Sequence, residues 1–118
     1  MGKASRDKGK RGERELVPLW AAALPGIAVR RTGQDQAHQA VEKPSDIATG
    51  GLYAVEAKRR KRMSWTTIRE GVEQASEAAS PGEYPVCCHR EDRGSWYVSM
   101  RLEDFLELVQ EHYERGMR

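Results

Sequence analysis

Residues 44–58, PSDIATGGLYAVEAK, constrain the fold more than any other stretch of the chain. Two short apolar runs meet at Gly50-Gly51, a pattern that predicts a β-hairpin. Asp46 enters its first strand, and Glu56 and Lys58 stand near the end of the second. Strand side chains alternate, so Glu56 and Lys58 share a face while Ala57 points to the other. A solvated charge cluster is the bland reading. Yet buried strands seldom carry charge unless it is paired or binds metal, so two carboxylates and an ammonium on an apolar ribbon point to chemistry.

Loop length decides whether those charges meet, because residues opposite one another in a hairpin have numbers with a constant sum. A loop of Gly50 and Gly51 alone sets Asp46 opposite Val55 and turns its side chain away from Glu56. A loop of Thr49, Gly50 and Gly51 sets Asp46 opposite Ala54 and diagonal to Glu56, at roughly 7–8 Å. The odd loop, or a bulge, is expected, since glycine suits the left-handed position it needs. Ile47, Tyr53, Val55 and Ala57 then take the other face, and small Ala48 and Ala54 leave room beside the charges.

A chain of 118 residues is one domain by size and can build a core without disulfide or zinc staples. Its formal net charge of +2 argues for no particular partner, but the distribution does. Lys3, Arg6, Lys8, Lys10, Arg11 and Arg14 crowd the start, residues 58–62 read KRRKR, and the C-terminal helix is mostly acidic. Cys87 and Cys88 are adjacent in a predicted strand, face opposite ways and cannot form an ordinary disulfide with each other. The start is polar and basic without an apolar signal core, and no run is long enough to span a bilayer. A cytoplasmic protein is expected, working in the host cytoplasm if a virus encodes it.

Residues 1–8 read as a basic arm and 9–118 as one domain. Leu16, Val17, Leu19, Trp20, Ala23 and Leu24 predict a helix over 9–24, kinked or restarted at Pro18. Glu13 on its first turns reads by itself as a solvated helix-start glutamate. Residues 26–32 read as a strand, and 33–43, including His38, as an exposed loop. Ile68, Val72, Ala75 and Ala79 predict a helix over 67–79 with a Thr67–Glu70 capping box. Gln74 lies off that stripe, where it is either a plain helix former or a group placing water or phosphate. Residues 84–89 and 95–100 read as strands, and Leu102, Phe105, Leu106, Val109 and Tyr113 form a helical stripe expected to close the core. The expected fold is α/β, a mixed sheet of about five strands flanked by helices, with the second and third strands central.

Taken together, KGKRGERE at 8–15, VRRT at 29–32, PSD at 44–46 and VEAK at 55–58 resemble the PD-(D/E)xK nuclease superfamily. Within it the likeness is to archaeal-type Holliday junction resolvases, including phage-encoded relatives. It spans residues 8–109; an acid followed by E-x-K is common by chance, and the helix motif makes the combination more specific. The resemblance implies a restriction-endonuclease-like fold with Glu13, Asp46, Glu56 and Lys58 catalytic. Asp46, Glu56 and the Ala57 carbonyl would hold Mg²⁺, with Mn²⁺ able to substitute and Glu13 joining directly or through water. Lys58 would orient or deprotonate the attacking water and stabilise phosphate charge. Arg14 and Arg30, or Arg31 in place of Arg30, match basic positions that contact DNA in that family; Lys10, Arg11, Arg59, Arg60, Lys61 and Arg62 would add to the DNA-binding face by their charge, with Thr32 and Gln74 as accessory groups. Two departures stand out: no serine precedes Ser45 in the loop where those resolvases carry one, and Pro18 interrupts the first helix.

The expected function is therefore a metal-dependent endonuclease that cuts four-way DNA junctions as a homodimer. A nuclease for other branched or linear DNA shares every motif, and a DNA-binding module without turnover shares the basic segments. The module leaves the joint presence of Glu13, Asp46, Glu56 and Lys58 without a purpose.

Overall fold

A computed structural model describes the backbone of residues 3–33 and 44–117 and the side chains of 9–33 and 44–117. The elements in order are α1 (Lys3–Ala23), β1 (Arg30–Arg31), β2 (Ile47–Ala48), β3 (Tyr53–Arg60), α2 (Trp65–Ala78), β4 (Tyr84–Glu91), β5 (Tyr97–Ser99) and α3 (Leu102–Gly116). The five strands form one mixed sheet in the order β1-β2-β3-β4-β5, so the α/β architecture expected from sequence holds. β3 and β4 run parallel because α2 crosses between them, and the other neighbours are antiparallel.

β3 is central, as expected. Its eight-residue partner is β4, whereas β2 is only two residues long. β1 is equally short, so Ile27 and Val29 of the expected strand lie outside the ladder. The helix α1 begins at Lys3 rather than near Gly9 and continues through Pro18, which is exposed. The α2 helix begins two residues before the expected capping box, because Ser64 is the cap and its Oγ accepts from the Thr67 amide at 3.1 Å. The loop expected at 33–43, with His38, lies beyond Gly33 outside the described residues.

The two faces of the sheet differ. On one, Leu16 of α1 joins Ile47, Val55, Ala57, Val86 and Cys88 in the buried core, with Trp20, Tyr53, Trp96 and Met100 packed around them. α2 covers the opposite face through its buried Gly71 and Ala75. Cys87 and Cys88 are both buried and free, and they serve opposite faces as their adjacency requires. Burial pushes their thiols up to about 12 and about 11, so both are inert at neutral pH.

α3 corrects one expectation. Its stripe does not close the core: none of its residues is buried, and Leu102, Phe105, Leu106, Val109 and Tyr113 are all exposed. A hydrogen bond from the Tyr84 hydroxyl to Glu111 Oε1, at 2.6 Å, ties the helix to β4. An apolar cleft of about 830 Å³ stays open where Leu102, Phe105 and Leu108 line it together with Trp20, Tyr53 and Met100, so the stripe borders the core without sealing it.

Candidate functional site

The hairpin register settles which charges meet. Ile47 pairs with Val55 and Ala48 with Ala54, a constant sum that places Asp46 at the position opposite Glu56. The parity is the expected one, but the pairing is shifted: the loop is Gly50, Gly51 and Leu52, and Thr49 stays in the hairpin. Thr49 closes that loop by itself. Its Oγ1 accepts from the Tyr53 amide at 2.8 Å and donates to the Tyr53 carbonyl at 3.0 Å, while Gly50 and Gly51 take left-handed φ of 67° and 86°. Asp46 thus lies on the Glu56 face, directly opposite instead of diagonal.

Asp46 is held from two sides. Its Oδ2 accepts from the Ala57 amide at 2.9 Å, taking over a ladder position that the short β2 leaves empty. Its carbonyl accepts from the Thr32 amide at 3.0 Å. Thr32 is itself buried, with its hydroxyl donating to the Ser45 carbonyl, while the Ser45 hydroxyl donates to the Ile47 carbonyl at 3.2 Å. Thr32 and Ser45 therefore clamp the segment that carries Asp46, a structural role that the sequence motif did not reveal. An extended residue directs its N–H and C=O to the same edge, so the Ala57 carbonyl leaves toward the Asp46 side of β3.

Glu56 is only 3% exposed, Lys58 is half-buried beside it, and Asp46 is partly open to solvent. Glu13 reaches the same region from α1. Its Oε1 accepts from Arg31 Nε at 3.0 Å, and desolvation raises its pKa above the usual carboxylate value, Arg31 opposing and the Asp46 charge adding to that rise. Glu13 is thus within electrostatic reach of Asp46. Among the described residues, however, no three His, Cys, Asp or Glu side chains gather as a metal cluster. The donor set that the register brings together is Asp46, Glu56 and the Ala57 carbonyl, all hard oxygens, which suits an ion that binds one or two carboxylates and keeps its waters.

The basic residues divide into two groups. Arg31 and Arg59, expected on the DNA-facing surface, are committed inside the fold: Arg31 to Glu13, and Arg59 Nη1 to Glu15 Oε2 at 2.8 Å with Asp92 Oδ1 3.7 Å from its Nε. Arg60 donates to the Arg59 carbonyl at 2.9 Å. Lys10, Arg11, Arg14, Arg30, Lys61 and Arg62 are exposed. Arg14, Arg30 and Arg31 line a cleft of about 290 Å³ between α1 and β1, a concave basic surface next to the acidic site. Gln74 is partly buried on α2, and its Oε1 is enclosed without a hydrogen-bond partner among the described residues. It borders a surface hollow shared with Glu70, Glu73, Glu77 and Arg101.

Fold and site together define an α/β protein in which a hairpin presents two carboxylates and a lysine on one face, flanked by arginines. Among solved structures the chain is similar to Hjc of Archaeoglobus fulgidus, a Holliday junction resolvase from an archaeal hyperthermophile, at 26% sequence identity and a TM-score of 0.47, over 77% of this chain and 70% of that one. No protein-family model and no curated relative matches the chain. Among the described residues no helix is long and apolar enough to cross a membrane.

Proposed function

We propose that the chain is a divalent-metal-dependent DNA endonuclease that cuts four-way junctions by paired phosphodiester hydrolysis. The observation that carries this reading is the hairpin register, which sets Asp46 opposite Glu56 on the face that also bears Lys58. The motif resemblance at KGKRGERE, PSD and VEAK points the same way. Asp46, Glu56 and the Ala57 carbonyl would hold Mg²⁺. When bound, the metal supplies charge for the phosphate oxygens and lowers the pKa of a coordinated water.

The chain's own groups do the rest. The Ala57 amide keeps the Asp46 carboxylate turned toward β3, and Thr32 and Ser45 keep its backbone in place. Lys58 stands by the scissile phosphate, orients the attacking water and offsets the charge that develops on phosphorus oxygens. The water oxygen bonds to phosphorus, one bridging P–O bond breaks, and the products are a phosphomonoester and a hydroxyl. Lys10, Arg11, Arg14, Arg30, Arg60, Lys61 and Arg62 hold DNA through its phosphates, so binding is tolerant of sequence and sensitive to salt.

Resolving a junction into two duplexes takes two symmetric cuts, and one site of this size makes one. A homodimer supplies the second. The exposed stripe of α3 is the surface we assign to it, since a row of large apolar side chains on one helix is more than a monomer ordinarily leaves in water.

Labelled four-way, splayed and linear DNA incubated with the protein, in Mg²⁺ or in EDTA, tests the reading. Paired nicks near the junction centre are expected in Mg²⁺ alone. Asp46→Asn and Glu56→Gln should each abolish cutting while leaving junction affinity within a few-fold, because binding rests on the basic residues. Substantial Mg²⁺-dependent cutting by the doubly substituted protein would overturn the site assignment.

A further inference from the structure

Lys58 makes no hydrogen bond or ion pair among the described residues, and a flexible four-carbon stem does not aim its own ammonium. Its stem is nonetheless confined. A Cβ added to the buried Gly71 of α2 would stand 3.3 Å from Lys58 Cγ and only 2.5 Å from Cys87 Sγ. At that point α2 rests on the sheet with room for a hydrogen and nothing larger. Cys87 is the register partner of Glu56, and Lys58 is the next outward residue on that face of β3. Gly71 therefore lies over the two strands where the carboxylate and lysine positions adjoin.

We infer that Gly71 is a positioning residue for Lys58, letting α2 form one wall of the trough that directs the lysine stem past Cys87 toward the Glu56 side. This rests on the nuclease reading for its catalytic consequence, though not for the geometry. Steric confinement stands in for a polar partner, which Lys58 does not have among the described residues, and it leaves the N–H groups of the ammonium for water and phosphate. Cys87 sets the depth of the trough and takes no part in the chemistry.

Two arms test the assignment. In the first, Gly71→Ala, Cys87→Ala and the double variant are compared with the parent chain for junction affinity and single-turnover cleavage, at a temperature where circular dichroism shows each to be folded. Gly71→Ala should lose at least about tenfold in rate with affinity within about twofold. The double variant, freed of the Sγ that a Cβ would strike, should recover to within about threefold of Cys87→Ala.

In the second arm the six lysines are ¹³C-dimethylated and read by NMR without DNA or metal, the Lys58 signal being the one missing in Lys58→Arg. That signal should shift in Gly71→Ala and return in the double variant. A parent chain that never cuts DNA would remove the nuclease reading while the NMR arm still decides the geometry. Should Gly71→Ala fail to fold, the double variant against Cys87→Ala carries the comparison: matching rate and Lys58 signal support the trough, and a lost rate with an unmoved signal overturns it. A folded Gly71→Ala with parental rate and an unmoved Lys58 signal overturns the proposal, as does a rate loss that only tracks the folded fraction.

Discussion

His89 is one residue through which the fold responds to acid. It is buried beside Lys58 in the β3–β4 ladder, its Nε2 lies 2.8 Å from Ser99 Oγ, and its ring stacks on Tyr97 with centroids 6.1 Å apart. Desolvation lowers its pKa below the ordinary 6.5. Between the lowered value and 6.5 the unfolded chain binds the proton and the folded chain does not, so this contribution to stability is complete above 6.5 and is lost as pH falls. His89→Gln, which retains a polar group for Ser99, should flatten that loss; parallel thermal unfolding from pH 7.5 to 5 measures it, and an unchanged acid limb would refute it. The shared face of Asp46, Glu56 and Lys58 was legible in the sequence. The structural roles of Thr32, Ser45 and His89 were not, because each depends on a partner and on burial, which composition does not encode.

Helix α1 works as an element by joining distant parts of the sheet. Glu15 accepts from Arg59, 44 residues away, and its other oxygen accepts from Arg90 Nη1 at 3.1 Å, 75 residues away. Arg90 in turn lies over the Trp96 ring, 5.8 Å from its centroid. A Cβ at the buried Gly12 would sit 3.3 Å from Arg59 Cβ, so the helix is seated closely on that pair. Glu15→Ala leaves both guanidiniums without this carboxylate and should cost about 1–2 kcal/mol in urea unfolding, discounted for the partial exposure of the group. A change under a few tenths would show the network to be idle. The sequence placed Glu13 and Glu15 on one helix, but which arginine each would meet depends on the strand register, and two of the arginines assigned to DNA turned out to be these partners.

At the scale of the whole molecule, the exposed α3 stripe predicts association. Val109→Glu combined with Leu106→Glu puts like charges across a two-fold contact and should turn a dimer into a monomer by sedimentation at micromolar concentration, with the fold unchanged by circular dichroism. Single nicks should persist while paired cuts decline. A parent chain that is monomeric in the same experiment would remove the α3 surface, and one that also cuts linear duplex as readily as junctions would remove the junction preference while leaving a nuclease.

By itself the sequence determined the α/β class, the element order, the acidic hairpin and the face shared by Glu56 and Lys58, because local periodicity and turn chemistry act over a few residues. The tertiary structure alone decided three things. Thr49 bonding to Tyr53 moved the loop forward and brought Asp46 opposite Glu56. Carboxylates on α1 paired with Arg31 and Arg59. The packing of α3 left its stripe bordering an apolar cleft instead of buried in the core. The first turns on which local closure the hairpin takes and the other two on segments far apart in the chain, and an apolar stripe or a charge read from sequence says that a partner is needed without saying where it lies.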